Sequence, residues 1–399
     1  MRELLPDAMR RAGVDAWVVI ARENDNDPLA AHVGGENAGG TAAFLFLAGP
    51  GDALRSLALS PRGEAVALGE VALHDSVIAL DLGESVWERA AAELRRADPR
   101  RIAVNVSSRA AADGLSHTQR LQLEEALGPE LRERLVSSED LVVEWLSVKL
   151  PEEVEILRRA AELTARMEVE AYAHVVPGET TDGDVARLLK RRMEELGVED
   201  AWAPAQNPNV NSGPDRGHAH ATERVIQPGD VIQTDFGIRV YGVWVTDIQR
   251  FAYVLRPGES QPPPEIARAW ESARDGGRTA FRAMRPGLRG YDVDAAQRRH
   301  MRERGSLPVP WSTGHPVGYW AHDVGPSLGG AQREGPPAGD AVRLLRPGQV
   351  FAFDGFHSWP WDGEPADATK TISVEEMVVV TDEGAEYLVP PQEELILIR

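Results

Sequence analysis

Short apolar runs alternate with turn residues from Asp15 to about Val106: AWVVI, AAFLFL, SLAL, AVAL, SVIAL and RIAVNV, with a helical stretch near Ser85–Arg96. Runs of this length predict short, largely buried strands in a mixed α/β region. The preceding residues, MRELLPDAMRRAG, carry the spacing of an amphipathic helix that leads into the first strand. Ser116–Leu127 and Ser138–Leu146 read as helices and lead to Lys149-Leu150-Pro151. A proline there suits a domain boundary followed by a helix with Pro in its first turn.

The rhythm then changes. Pro151–Val175 carries apolar residues near helical spacing (Val154, Leu157, Ala161, Leu163, Met167, Ala171), and a second helix is expected over Asp182–Leu196. The acidic start, Glu152-Glu153-Val154-Glu155, marks a favoured helix N-terminus. Between Arg224 and Leu255 alternation takes over, with Gly229-Asp230 and Gly242 as turn points, which predicts two adjacent antiparallel strands. Helices return at Pro264–Met284 and Gly290–Arg304, then strands at Gln349–Asp354, Thr369–Glu375 and Met377–Thr381. Two helices and strands, repeated once, look like one helix-pair-plus-sheet unit used twice.

Length and composition narrow the class. A chain of 399 residues exceeds the roughly 250–300 at which single cores stop growing, so two domains are expected. No apolar run approaches the ~20 residues of a bilayer span, and the N-terminus lacks the apolar core and cleavage site of a signal peptide, so a cytoplasmic protein without a membrane partner is expected. A net charge of −20 repels a phosphate backbone and argues against nucleic acid as a partner. With no cysteine, any metal must be held by oxygen and imidazole ligands.

The candidate chemistry lies in four acidic residues embedded in apolar strands. In GDVIQTDFGIRVYGVWVTDIQRF, a turn near Tyr241-Gly242 would bring Asp235 and Asp247 together, although both carboxylates could instead face solvent or cap turns. Asp354 in RPGQVFAFDGF and Glu375 in TKTISVEEMVVVT repeat the pattern. A carboxylate is costly to bury unpaired, and a divalent cation is the strongest partner available. In STGHPVGYWAHDVG, His315 and His322 stand seven apart in a loop-like setting that suits side chains aimed into a cleft. Four carboxylates and one imidazole make a mainly oxygen site that suits Mn²⁺, Co²⁺, Zn²⁺ or Fe²⁺, and bridging carboxylates leave room for two ions.

These segments, together with the VEEMVVVTDEGAEYL ending, resemble the pita-bread metallohydrolases, which include methionine aminopeptidase, prolidase (Xaa-Pro dipeptidase), aminopeptidase P and creatinase. The resemblance runs from about Lys149 to Arg399. It implies an α+β chain: a pita-bread catalytic domain over 149–399, with pseudo-duplicated helix pairs on a curved antiparallel sheet, after a smaller mixed α/β domain over 1–148 like that of prolidase and creatinase. It implies two divalent metal ions, Mn²⁺, Zn²⁺ or Co²⁺, with metal ligands Asp235, Asp247, His315, Asp354 and Glu375. In that pattern Asp235 serves the first ion, Asp247 and Glu375 bridge, and His315 with Asp354 completes the second. Catalytic roles pass to His322, His218, Glu375 and Asp354, with His220 as the alternative to His218. The implied activity is a metal-dependent peptidase that hydrolyses Xaa-Pro bonds in a small peptide substrate through a metal-bridging hydroxide, in a protein that is expected to be a homodimer.

Departures from the pattern bear on that reading. The Asp235-to-Asp247 spacing is one residue longer than usual, which a bulge or longer turn could absorb. The family normally has glutamate where Asp354 stands, and the shorter side chain reduces reach to the second ion. Ser373 replaces an arginine common in Xaa-Pro peptidases, and Trp311 stands where a further histidine is common. A creatinase-like, metal-independent C–N hydrolase and a catalytically decayed binding protein are the alternatives.

Overall fold

Apolar runs without alternation need cover on both strand faces, and the first part of the chain supplies it. The structure, a computed structural model, describes residues 1–24, 27–35, 40–51, 53–216, 220–362 and 367–399. It divides into two units, Met1–Leu146 and Ser147–Arg399.

In the first unit, strands β1 (Ala16–Arg22), β2 (Thr41–Ala48), β3 (Leu54–Pro61), β4 (Ser76–Leu80), β5 (Ile102–Val104) and β6 (Leu135–Ser137) form a mixed sheet in the order β4-β3-β2-β1-β5-β6. Helices α1 (Leu5–Ala12), α2 (Ala30–Val33), α3 (Arg62–Val71), α4 (Val86–Ala97), α5 (His117–Arg132) and α6 (Glu139–Leu146) connect it. Val18 and Ile20 pack with Leu94 of α4 and Leu123 of α5. On the alternate positions Trp17 stacks on Phe46 and meets Trp145 of α6 edge-on. The AVAL run, expected as a strand, lies instead in α3. The reason is topological: β3 and β4 are parallel, and a parallel pair needs a crossover, usually a helix.

The second unit begins with α7 (Pro151–Tyr172), which has Pro in its first turn and Glu153 accepting from the Leu150 N–H at 2.8 Å. After it come α8 (Asp182–Leu196), β7 (Glu199–Asp200), β8 (Asn209–Ser212), β9 (Val231–Phe236), β10 (Ile238–Val240), β11 (Trp244–Val245) and β12 (Ile248–Val254). Then follow α9 (Pro264–Ala283), α10 (Gly290–Glu303), β13 (Gly314–Pro316), β14 (Val350–Pro360), β15 (Thr369–Val380), β16 (Ala385–Tyr387) and β17 (Ile396–Ile398). The main sheet runs β13-β14-β15-β12-β9-β8, each neighbour antiparallel, with β16 beside β15 and β17 beside β12.

Both helix pairs pack on alternate side chains of this sheet. Met167 and Leu189 of α7 and α8 meet Ile232, Phe236, Ala252 and Val254. Ala280 of α9 and Val293 of α10 meet Phe351, Phe353, Val378 and Val380. Helix α9 comes so close that a Cβ on Gly355 would lie 2.1 Å from the Ala273 carbonyl oxygen. The positions between these apolar residues carry the polar side chains described below.

Two sequence expectations change here. The pieces Thr369–Glu375 and Met377–Thr381 are one strand, β15, because Glu376 does not break it: its side chain takes an ion pair from Arg250 at 3.0 Å. The two strands expected between Arg224 and Leu255 are β9 and β12, but a second small hairpin, β10–β11, rises between them and pairs with β7. Tyr241 and Gly242 make its turn with φ of 54° and 68°, the left-handed values that a tight hairpin turn demands. At its base Gly237 passes Thr246 so tightly that a Cβ would sit 2.2 Å from the Thr246 carbonyl oxygen and 2.5 Å from the Trp202 ring. Gly237→Ala should therefore destabilise the second unit by about 1–3 kcal/mol through overpacking, measurable as a lowered denaturant midpoint.

Candidate metal centre

Antiparallel partners share a sheet face, and pairing lines up five polar residues across five strands: Asn209, Asp235, Gln249, Glu375 and Asp354, on β8, β9, β12, β15 and β14. Asp247 stands directly before β12, beyond the break at Gly237 and Thr246. His315 on β13 pairs with Ala352 of β14, and its Nε2 lies 3.7 Å from both Asp247 Oδ2 and Glu375 Oε1. His322 returns on the following loop, its ring centroid 4.1 Å from that of His315.

Among the described residues two groups of potential ligand atoms result, each with its members within 4.8 Å of one another: Asp235, Asp247 and Glu375, and Asp247, His315 and His322. Asp247 belongs to both. The four carboxylates are buried, whereas His315 is half-buried and His322 exposed. Asp354 lies outside both groups but faces the same row, and its Oδ1 accepts from Gln249 Nε2 at 3.4 Å. His218 is outside the described residues; His220 is exposed.

Electrostatics marks the same place. Burial, and then the charges of Glu375, Asp235 and Asp354, push the Asp247 carboxyl well above the usual carboxylate range. Burial and then Glu375 do the same to Asp354, and burial and then Asp235 to Glu375. Crowded carboxyls in a low dielectric hold protons unless positive charge replaces them. The donor set, carboxylate oxygens with one or two imidazoles and no sulfur, fits hard or borderline divalent cations.

Supporting residues surround the site, and two of them, Arg250 and Gln297, escaped sequence reading. Arg250 is buried on the reverse face, where it pairs with Glu376 and donates to the Glu375 carbonyl oxygen at 3.0 Å. Gln297 of α10 donates to the Asp354 carbonyl oxygen at 2.7 Å. Lys149 and Asp323 form a buried ion pair at 3.0 Å, and the Asp323 carboxylate also accepts from the backbone N–H groups of Tyr319 and Val324. Asp323 thus braces the loop that carries His322. One signal was available: Gln233 precedes Asp235 by two residues and Gln249 follows Asp247 by two, polar positions in otherwise apolar surroundings.

The sequence pattern of metallopeptidase family M24 matches residues 155–382, more than half of the chain. The chain belongs to metallopeptidase family M24. The expected pita-bread relationship is thereby borne out. The chain is similar to the probable dipeptidase PepE of Mycobacterium tuberculosis, 26% identical over 295 residues, covering 72% of this chain and 70% of that protein. It is also similar to the Xaa-Pro dipeptidase of Pyrococcus furiosus, 24% identical over 261 residues, covering 65% of this chain and 67% of that one. In structure it resembles an X-Pro aminopeptidase from Thermotoga maritima, with a TM-score of 0.71 and 21% identity over 98% of this chain and 100% of that chain. The M24 pattern thus lies within the second unit, whereas the structural likeness to the aminopeptidase takes in residues of both. No helix among the described residues is long and apolar enough to cross a membrane.

Two outcomes follow from this geometry. Lys149→Met leaves Asp323 buried without its counter-charge, and should cost about 3–5 kcal/mol of unfolding free energy in chemical denaturation. The second concerns pH. In metal-free protein Asp247, Asp354 and Glu375 titrate above their unfolded values of about 4, so the folded state binds more protons than the unfolded one over the window above that pH. Stability must fall as pH rises through that window. The melting temperature of chelator-treated protein should drop as the pH is raised above about 4, and the slope should shrink when Mn²⁺ is restored.

Proposed function

We propose that this M24 peptidase hydrolyses Xaa-Pro peptide bonds, as a dipeptidase or an aminopeptidase P-like enzyme, with two divalent cations, Mn²⁺, Zn²⁺ or Co²⁺. The observation that carries the reading is the convergence of two ligand groups that share Asp247. Asp235 would serve the first ion, Asp247 and Glu375 would bridge, and His315 with Asp354 would serve the second. Bound there, such ions supply the acidity that ionises water near neutral pH and polarise a carbonyl group.

The chain's own residues supply the rest. His322 is the exposed member of the cluster, on the open side where a substrate carbonyl arrives, and its ring N–H would donate to the oxygen on which charge develops. With cations bound, a free carboxylate oxygen of Glu375 or Asp354 beside the attacking water would accept its proton and pass it to the leaving amine. The preference for proline rests on the similarity to Xaa-Pro peptidases.

Chelated enzyme given Mn²⁺ should cleave Xaa-Pro dipeptides or longer Xaa-Pro peptides faster than Met-Ala peptides. Asp247→Ala and Glu375→Ala should each lower kcat/KM by at least about a hundredfold, the scale expected when a group acting in the transition state is lost, with circular dichroism unchanged. Full turnover in either variant would remove the bridging role. Protein purified without chelator that carries no cation would fit the creatinase-like or non-catalytic alternatives instead.

A further inference from the structure

Gln249 stands at the middle of the polar row, between Asp235 on one neighbouring strand and Glu375 on the other. Its side chain is buried, and the two carboxylates beside its amide identify which end is which. The Oε1 end accepts from Gln233 Nε2 at 2.7 Å and from the Ser373 hydroxyl at 2.8 Å. The Nε2 end donates to Glu375 Oε2 at 3.1 Å and to Asp354 Oδ1 at 3.4 Å. Turning the amide over would set its oxygen against two carboxylates and its NH₂ against the Gln233 amide nitrogen. The carboxylates therefore set the orientation, and Gln233 and Ser373 hold the other end of the amide in place.

An amide nitrogen held between two carboxylates fixes one oxygen of each and leaves the other oxygen aimed elsewhere. For Glu375 that other oxygen, Oε1, is the one 3.7 Å from His315 Nε2. We propose that Gln249 is a positioning residue for the cation shared by His315, Asp354 and Glu375, holding the two carboxylates in the orientation that binds it. The proposal rests on the two-cation reading above. It also gives a role to the short side chain of Asp354: with less reach, that carboxylate depends more on being held in place. Partners that hydrogen-bond metal-ligating carboxylates commonly contribute 10–100-fold to metal affinity. Gln249 touches neither substrate nor attacking water in this scheme and is not itself a ligand.

The test is calorimetric titration of the full, chelator-stripped chain with Mn²⁺, alongside Gln249→Met, which keeps side-chain length and removes both hydrogen-bonding ends. Wild type should bind two Mn²⁺. In Gln249→Met the weaker site should lose roughly 10–100-fold in affinity and the stronger site clearly less, so the ratio of the two dissociation constants widens at least about threefold. Activity should recover as Mn²⁺ is raised, a rescue that a merely structural defect would not permit. Because Gln233 and Ser373 lose a partner in that variant, Ser373→Ala, which removes only one of the two partners at the Oε1 end, serves as the second probe and should widen the same ratio less. Unchanged Mn²⁺ affinities in both folded variants, or equal weakening of both sites, would overturn the proposal while leaving the two-cation reading intact. Wild-type protein that binds no Mn²⁺ would overturn both.

Discussion

Like charge gathered in a low dielectric is the constraint around which the second unit is organised. Asp235, Asp354 and Glu375 are buried on one face of a single sheet, and Asp247 is buried directly before one of its strands. Such a set is tolerated only with protons or cations among its oxygens. The architecture answers with scale: both helix pairs bury alternate apolar side chains of the same sheet, so the strands that carry the carboxylates are among its most buried segments. Hydrophobic burial on one side thus sustains an electrostatic cost on the other.

Precision comes from polar contacts that reach the cluster from behind and beside it. Arg250 is held by Glu376 and pins the Glu375 backbone, Gln297 pins the Asp354 backbone, and Asp323 with Lys149 ties down the loop between the two histidines. Each of these groups is itself buried and hydrogen-bonded. A residue held by such a set has few alternative positions, which is what a metal site requires of its ligands. The small β10–β11 hairpin adds a further device: it removes the residues between Asp235 and Asp247 into another sheet, so the longer spacing between the two aspartates is taken up outside the main ladder.

Much of this was legible in one dimension because the signals were local. The helices α7 to α10 follow from apolar spacing and first-turn chemistry, and their ends fall close to those expected from Pro151, Asp182, Pro264 and Gly290. The site carboxylates stood out as charges inside apolar strands. The errors arose where a local signal was outweighed. AVAL has strand composition but occupies the crossover between two parallel strands, which is usually a helix, and Glu376 fell between two expected strands because its partner, Arg250, lies 126 positions away in sequence.

By itself the sequence determined the family and its α+β architecture through motifs that resemble known members, and it determined the absence of cysteine ligands, the helix and strand segments and the residue types available to hold a cation through composition and short periodic patterns. Only the tertiary structure decided which of those residues meet. It put Asp247 in two ligand groups, left Asp354 outside both, set His322 on the exposed side and brought Gln249 between two carboxylates. The physical reason is register: a strand's period of two says which residues share a face, but the pairing between distant strands, set by the packing of the whole sheet, says which of them stand in one row.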